Sequence, residues 1–135
     1  MLLSCPGTVT IPTDNKNGTA AGGLGYQFGL GVTSTSVNVG HFKLQIVSPV
    51  VDTVSQPVIE SSNLTSWATV GVPWWPKEQA GGLIYRSFGS AAGPVPVTTA
   101  TFDLPLSPSI NSRNALRITQ DEAVDGSATL EIVYI

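Results

Sequence analysis

The sequence predicts an all-β protein, an antiparallel two-sheet β-sandwich of jelly-roll type with about eight strands. Three observations carry that expectation. Charged residues make up only 11% of the chain, against roughly 25% in an average soluble protein. The polar remainder is Ser, Thr, Asn, Gln, Gly and Pro, which suits strands and turns and leaves no window with the charged outer face of an amphipathic helix. Apolar residues instead recur at every second position in several short runs, with Gly or Pro between them. The length of 135 residues suits one domain over residues 1–135, and no strand alternates with a helix as a parallel α/β sheet would require.

The elements follow in order. Thr8 to Ile11 reads as a first strand. Gly23 to Val32 gives the best alternation: Leu24, Tyr26, Phe28, Leu30 and Val32 on one face, Gly23, Gly25, Gln27, Gly29 and Gly31 on the other. Glycine weakens a strand, so that face implies either a sharp bend or another backbone approaching closely, from an arm, a partner subunit or a ligand. Gly25 and Gly29 are therefore candidate contact positions. Next, Phe42, Leu44 and Ile46 alternate with His41, Lys43 and Gln45, the pattern of a half-buried antiparallel strand. Val50 to Val54, between Pro49 and Pro57, is a short or edge strand.

Trp67 to Val72 forms another strand and Pro73-Trp74-Trp75-Pro76 ends it. After Gly81-Gly82, Leu83 to Phe88 and then Val97 to Leu104 are strands, separated by the Gly/Pro segment 89–96. A polar loop carries Pro105 and Pro108. The last two strands, Ala115 to Gln120 and Ala128 to Ile135, are joined through the turn signal Asp125-Gly126. The expected core is Leu24, Phe28, Leu30, Phe42, Leu44, Ile46, Phe102, Leu116, Ile118, Leu130 and Ile132.

Charge and residue inventory narrow the chemistry. The net charge is −3, and the six cations Lys16, Lys43, Lys77, Arg86, Arg113 and Arg117 are scattered, whereas nucleic-acid binding needs a cluster to displace counterions. No nucleic-acid partner is expected. No apolar run approaches a membrane span, so no membrane partner is expected either. Cys5 is alone, which excludes an intrachain disulfide. Leu2-Leu3-Ser4-Cys5 is similar to a bacterial lipid-attachment box, but it has neither a basic start nor a long apolar stretch.

A catalytic triad would have to use His41, the only histidine, on the polar face of its strand and with no nucleophile elbow in the chain. One His and one distant Cys do not make a zinc site. The glutamates 60, 78, 122 and 131 and the five aspartates sit mostly beside turns, where acids are solvated. Asp121-Glu122-Ala123-Val124-Asp125-Gly126 lacks EF-hand spacing and reads as an acidic hairpin tip. We expect no enzyme, no metal and no cofactor. Asn17-Gly18-Thr19 and Asn63-Leu64-Thr65 are glycosylation sequons that matter only in a secreted eukaryotic setting.

Trp74 and Trp75 are the foremost candidate contacts, with Tyr26 or Tyr85 nearby. Adjacent residues of an extended segment face opposite ways, so one ring can anchor the loop while the other meets a sugar or a partner. Alternatively both rings plug the end of the sandwich. A mean hydropathy of +0.20 with so few charges implies apolar surface and therefore a homo-oligomer, a dimer or trimer.

The Thr-, Ser-, Val-, Gly- and Pro-rich strands, the long Pro-bearing loops and the closing run Arg113-Asn114-Ala115-Leu116-Arg117-Ile118 … Leu130-Glu131-Ile132-Val133-Tyr134-Ile135 resemble viral and bacteriophage coat-associated β-sandwich domains of the protruding or decoration type. Shell-forming coat proteins usually carry a basic arm for the genome, and this chain shows none. The resemblance therefore implies a non-enzymatic structural or attachment domain on the outside of the virion, working with other capsid proteins and a glycan receptor. A rival reading is a secreted carbohydrate-binding module built on Trp74 and Trp75. A third is a hydrolase on a jelly-roll scaffold, which would need a cleft with two close carboxylates.

Overall fold

Strict alternation around residue 42 sets the centre of the fold. The strand β3 (Gly40–Leu44) buries Gly40, Phe42 and Leu44 and leaves His41 and Lys43 at the outer face, and Ile46 continues the buried series. The computed structural model describes residues 16, 19, 25–76 and 84–135, together with the backbone of 8–14. Among these residues strand accounts for 45% and helix for 4%, and every pairing is antiparallel.

The remaining strands are β1 (Thr8–Asp14), β2 (Phe28–Gly29), β4 (Val47–Val51), β5 (Val54–Ser55), β6 (Val58–Ser61), β7 (Ala68–Thr69), β8 (Tyr85–Ser90), β9 (Gly93–Pro94), β10 (Ala100–Asp103), β11 (Leu106–Ile110) and β12 (Ala128–Tyr134). The largest sheet runs β12-β1-β8-β6-β7, with β9 folded back on β8, and two three-stranded sheets, β10-β4-β5 and β11-β3-β2, complete a β-sandwich. One core joins all three sheets: Phe28, Phe42, Leu44, Val51, Val58 and Phe88 pack together with Trp75.

The strands outnumber the eight or so expected because turns split them. Asp52 and Thr53, both at positive φ, break the expected 50–54 strand into the end of β4 and β5. Pro49 sits inside β4, which has neighbours on both sides; the ladder accommodates it through a register shift opposite Thr101–Asp103 and a positive φ at Ser48. Of the expected loop around Pro105 and Pro108, Pro105 does lie in a connection, whereas Pro108 falls within the strand β11. Pro108 stands opposite Phe42 there, on an edge strand, where a missing N–H costs no ladder bond on the open side.

The expected strand 115–120 is also corrected. Ser112 caps a single helical turn, α1 (Arg113–Leu116), by accepting from the Ala115 N–H at 3.3 Å, and Arg117 closes it in the left-handed region. Strand β12 therefore pairs with β1, in an unbroken register from Thr8↔Tyr134 to Asp14↔Ala128, and not with a hairpin partner across Asp125-Gly126.

Of the expected core, Phe28, Leu30, Phe42, Leu44, Ile46 and Leu116 are buried, while Phe102 and Ile118 are half-buried. Leu24 lies outside the described residues, as does Gly23 at the start of that predicted strand. Leu130 and Ile132 are exposed, at 36% and 61%. Their face is the one that Ala128 packs onto the core. The same face is therefore half-buried at Ala128 and bare from Leu130 onward.

Candidate functional site

The Pro-Trp-Trp-Pro segment is held as an extra strand-like strip on the end of β3. The Trp75 N–H donates to the Leu44 carbonyl at 2.8 Å, the Ile46 N–H donates to the Pro73 carbonyl at 3.1 Å, and Gln45 and Trp74 form a bridge pair. Extended backbone sends the two indoles apart. Trp75 is only 1% exposed and meets Phe102 edge to face, with centroids 6.0 Å apart and planes at 68°. Its Nε1–H is buried with no acceptor among the described residues. Trp74 is half-buried at the surface, where the Tyr26 ring lies 6.5 Å away and 18° from parallel and the Lys43 Nζ stands 4.5 Å from the ring centroid.

Behind Trp74 lies a charged pair that the sequence reading passed over. Arg86 of β8 stands opposite Glu60 of β6; its Nη1 is 2.8 Å from Glu60 Oε2, and its Nη2 donates to the Trp74 carbonyl at 3.0 Å. Burial pulls the guanidinium below its ordinary pKa, while the Glu60 carboxylate works in the opposite direction. An arginine two residues before Phe88, on the buried parity of its strand, is the signal that could have found this pair. Tyr85 is half-buried and stands opposite Ser61, on the other face of β8 from Arg86, so the sheet separates it from Trp74 and Tyr26.

Gly25 lies in a half-buried turn and Gly29 is buried in β2. The backbone lying against this glycine face is the chain's own. The Asp125 N–H donates to the Leu30 carbonyl at 3.1 Å. A Cβ on Gly31, which has a φ of +83°, would stand 3.2 Å from the Asp125 carbonyl oxygen, and one on Gly126 would stand 3.2 Å from that of Gly29. Two acids of the 121–126 loop are tied elsewhere: Asp125 pairs with Lys16 at 2.6 Å, and Glu122 accepts from the backbone N–H of Ser34 at 3.0 Å and from its hydroxyl. Those bonds hold the Glu122 carboxyl below its ordinary pKa. Gln27 Nε2 donates to His41 Nε2 at 3.2 Å. Among the described residues no group of three His, Cys, Asp or Glu side chains converges as a metal site.

The other feature of the surface is the β1–β12 ribbon. Leu130, Ile132 and Tyr134 alternate along β12 and are exposed, Tyr134 by 71%. Among the described residues β12 ends its sheet, and the ribbon's link inward is the pair Thr10↔Arg86. Comparison with protein-family models, with curated proteins and with solved structures finds no match.

Proposed function

We propose that this chain is a non-enzymatic structural or attachment domain on the outside of a virus particle, acting through self-association and presentation of its surface. The observation that carries the reading is the bare apolar strip Leu130–Ile132–Tyr134 on β12. Edge strands of proteins that stay monomeric are usually blunted by charge, proline or a cover, because a free edge offers a row of backbone donors and acceptors to another chain. Here the β12 positions of the strip, Leu130, Ile132 and Tyr134, carry no charge, and Glu131 lies on the opposite parity. Large apolar side chains grouped on an exposed edge mark an interaction surface, and a second copy of the same edge meets it by a two-fold axis.

The placement on a virion rests on the resemblance of the charge-poor, Thr- and Val-rich strands to coat-associated domains and on the scatter of the cations. The rival, a sugar platform on Trp74, is disfavoured because Tyr26 and Lys43 already engage that ring.

Light scattering over a concentration series tests the assembly half. The expected result is a dimer or trimer mass for the chain and a monomer mass for Ile132→Lys, with the strand signal in circular dichroism retained. A monomer at the highest concentration, or an oligomer indifferent to the substitution, overturns it. Antibody labelling of purified particles tests the location.

A further inference from the structure

A cavity of about 310 Å³ opens beside the Arg86–Glu60 pair, lined by Glu60, Ser62, Ser66, Trp67, Ala68 and Ile84. We propose that this cavity is a binding site for one neutral pyranose ring, a monosaccharide or the terminal residue of a glycan. The inference rests on the attachment reading above and names the ligand class that such a surface would recognise.

The chemistry of the walls matches that of a sugar. A pyranose presents an apolar face of C–H bonds and a rim of hydroxyls that both donate and accept. The Trp67 indole supplies a flat apolar wall, with Ala68 and Ile84 beside it, and aromatic rings with a polar edge suit ligands that are half apolar and half wet. In the same lining, the Ser62 and Ser66 hydroxyls can donate or accept, and the Glu60 carboxylate accepts from hydroxyl donors. A few placed polar groups on a mainly apolar hollow is the usual make-up of a small-molecule site, and this volume falls at the small end of the roughly 300–1,000 Å³ range for such sites.

The walls are also held in place before any ligand arrives. Glu60 Oε2 is fixed by the Arg86 guanidinium at 2.8 Å, and that arginine is itself anchored on the Trp74 carbonyl. The turn 61–66 is locked from within: Ser61 Oγ accepts from the Asn63 and Leu64 N–H groups, and Asn63 Oδ1 accepts from those of Thr65 and Ser66. Across the ring, a Cβ on Gly93 would stand 3.9 Å from Trp67 Cδ1, so β9 buttresses the indole without crowding it. Preorganisation of this kind lowers the ordering cost of binding. The charges of Glu60 and Arg86 offset each other, which favours an uncharged sugar over a sialic acid or a sulfated one.

The test is a titration of the isotope-labelled full chain with the methyl glycosides of glucose, galactose, mannose and N-acetylglucosamine, followed by amide chemical shifts. We expect saturable shifts at residues 60–68 and 84 for at least one glycoside at millimolar concentration. Trp67→Ala weakens that binding about tenfold or more, and Ser62→Tyr, which fills the cavity from an exposed position and spares the indole, abolishes it. Trp74→Ala leaves it unchanged. Saturation by none of the four glycosides overturns the proposal, as does binding that survives Ser62→Tyr. Because each copy holds a whole cavity, the monomeric Ile132→Lys variant still binds; loss of sugar binding with the oligomer intact, or the reverse, separates failure of this site from failure of the assembly reading.

Discussion

Replacing Trp75 by alanine should unfold this protein far more readily than replacing its neighbour Trp74, although the two are adjacent and chemically identical. Trp75 is 1% exposed and fills the core between β3 and Phe102. Truncating a buried aromatic to alanine costs about 3–5 kcal/mol, through lost transfer energy and the cavity left behind. Trp74 loses a half-buried ring, its contact with Tyr26 and the Lys43 cation, together about 1–2 kcal/mol. Against a total stability of roughly 5–15 kcal/mol, the first loss is decisive and the second is tolerable. With a urea slope of about 1–3 kcal/mol per molar, Trp75→Ala lowers the midpoint by about 2 M and Trp74→Ala by less than about 1 M. A third variant refines the argument. Trp75→Phe removes an indole N–H that is buried without an acceptor among the described residues, an arrangement costing about 1–3 kcal/mol, and so offsets part of the packing it gives up. It should sit much closer to the parent than to Trp75→Ala. The assay is urea denaturation followed by far-ultraviolet circular dichroism, since fluorescence would confound the loss of a fluorophore with unfolding. Equal midpoints for Trp74→Ala and Trp75→Ala, or a larger drop for Trp74→Ala, would refute the opposed orientation of the two rings.

Two further outcomes follow from the packing and the acid loop. Gly40→Ala should destabilise by about 1–3 kcal/mol in a thermal melt, because its Cβ meets backbone of β11, the Ser109 carbonyl and the Ile110 Cα at 3.0 Å, which cannot move aside as a side chain would; an unchanged melting temperature contradicts the close β3–β11 approach. The Glu122 carboxyl has its pKa lowered in the folded chain, so the tie to Ser34 is fully present above the ordinary glutamate value of 4.5 and is lost as the pH falls below it. Hydrogen exchange at the Ser34 amide should accelerate over that acid range beyond its intrinsic pH dependence, and Glu122→Gln should remove the excess.

What the sequence makes legible is what one strand decides by itself. The alternation of Phe42, Leu44 and Ile46 with His41, Lys43 and Gln45 reads directly as an inner and an outer face, and the parting of Trp74 from Trp75 follows from extended backbone. What stays hidden depends on a second segment. Leu130 and Ile132 carry a core-like pattern, yet whether that face is covered depends on how far the opposing sheets reach. The neighbour of the glycine face is residues 125–126, almost a hundred positions away in the chain, and nothing in either segment announces the other. The strand around Pro108 reads as a loop because proline is tolerated on an edge strand or at a bulge, and the segment by itself does not show that it lies on an edge. Of the candidate sites, Trp74 and Tyr26 do come together, whereas the Trp67 cavity went unread because its serines and tryptophan lie in a polar turn without a motif.

The pairing of Thr8 with Tyr134 has a mechanical consequence. The first and last described strands run antiparallel with their outward ends side by side, so tension applied to the chain beyond both ends would load the ladder one rung at a time. The pairs would open in sequence, from Thr8↔Tyr134 down to Asp14↔Ala128, as a zipper does, and never as seven rungs sheared together. Such a geometry yields at low force. A domain tethered through one end leaves the ribbon slack under load, while one tethered through both would shed β12 first and bare the β1 edge while the core around Phe42 and Phe88 was still intact.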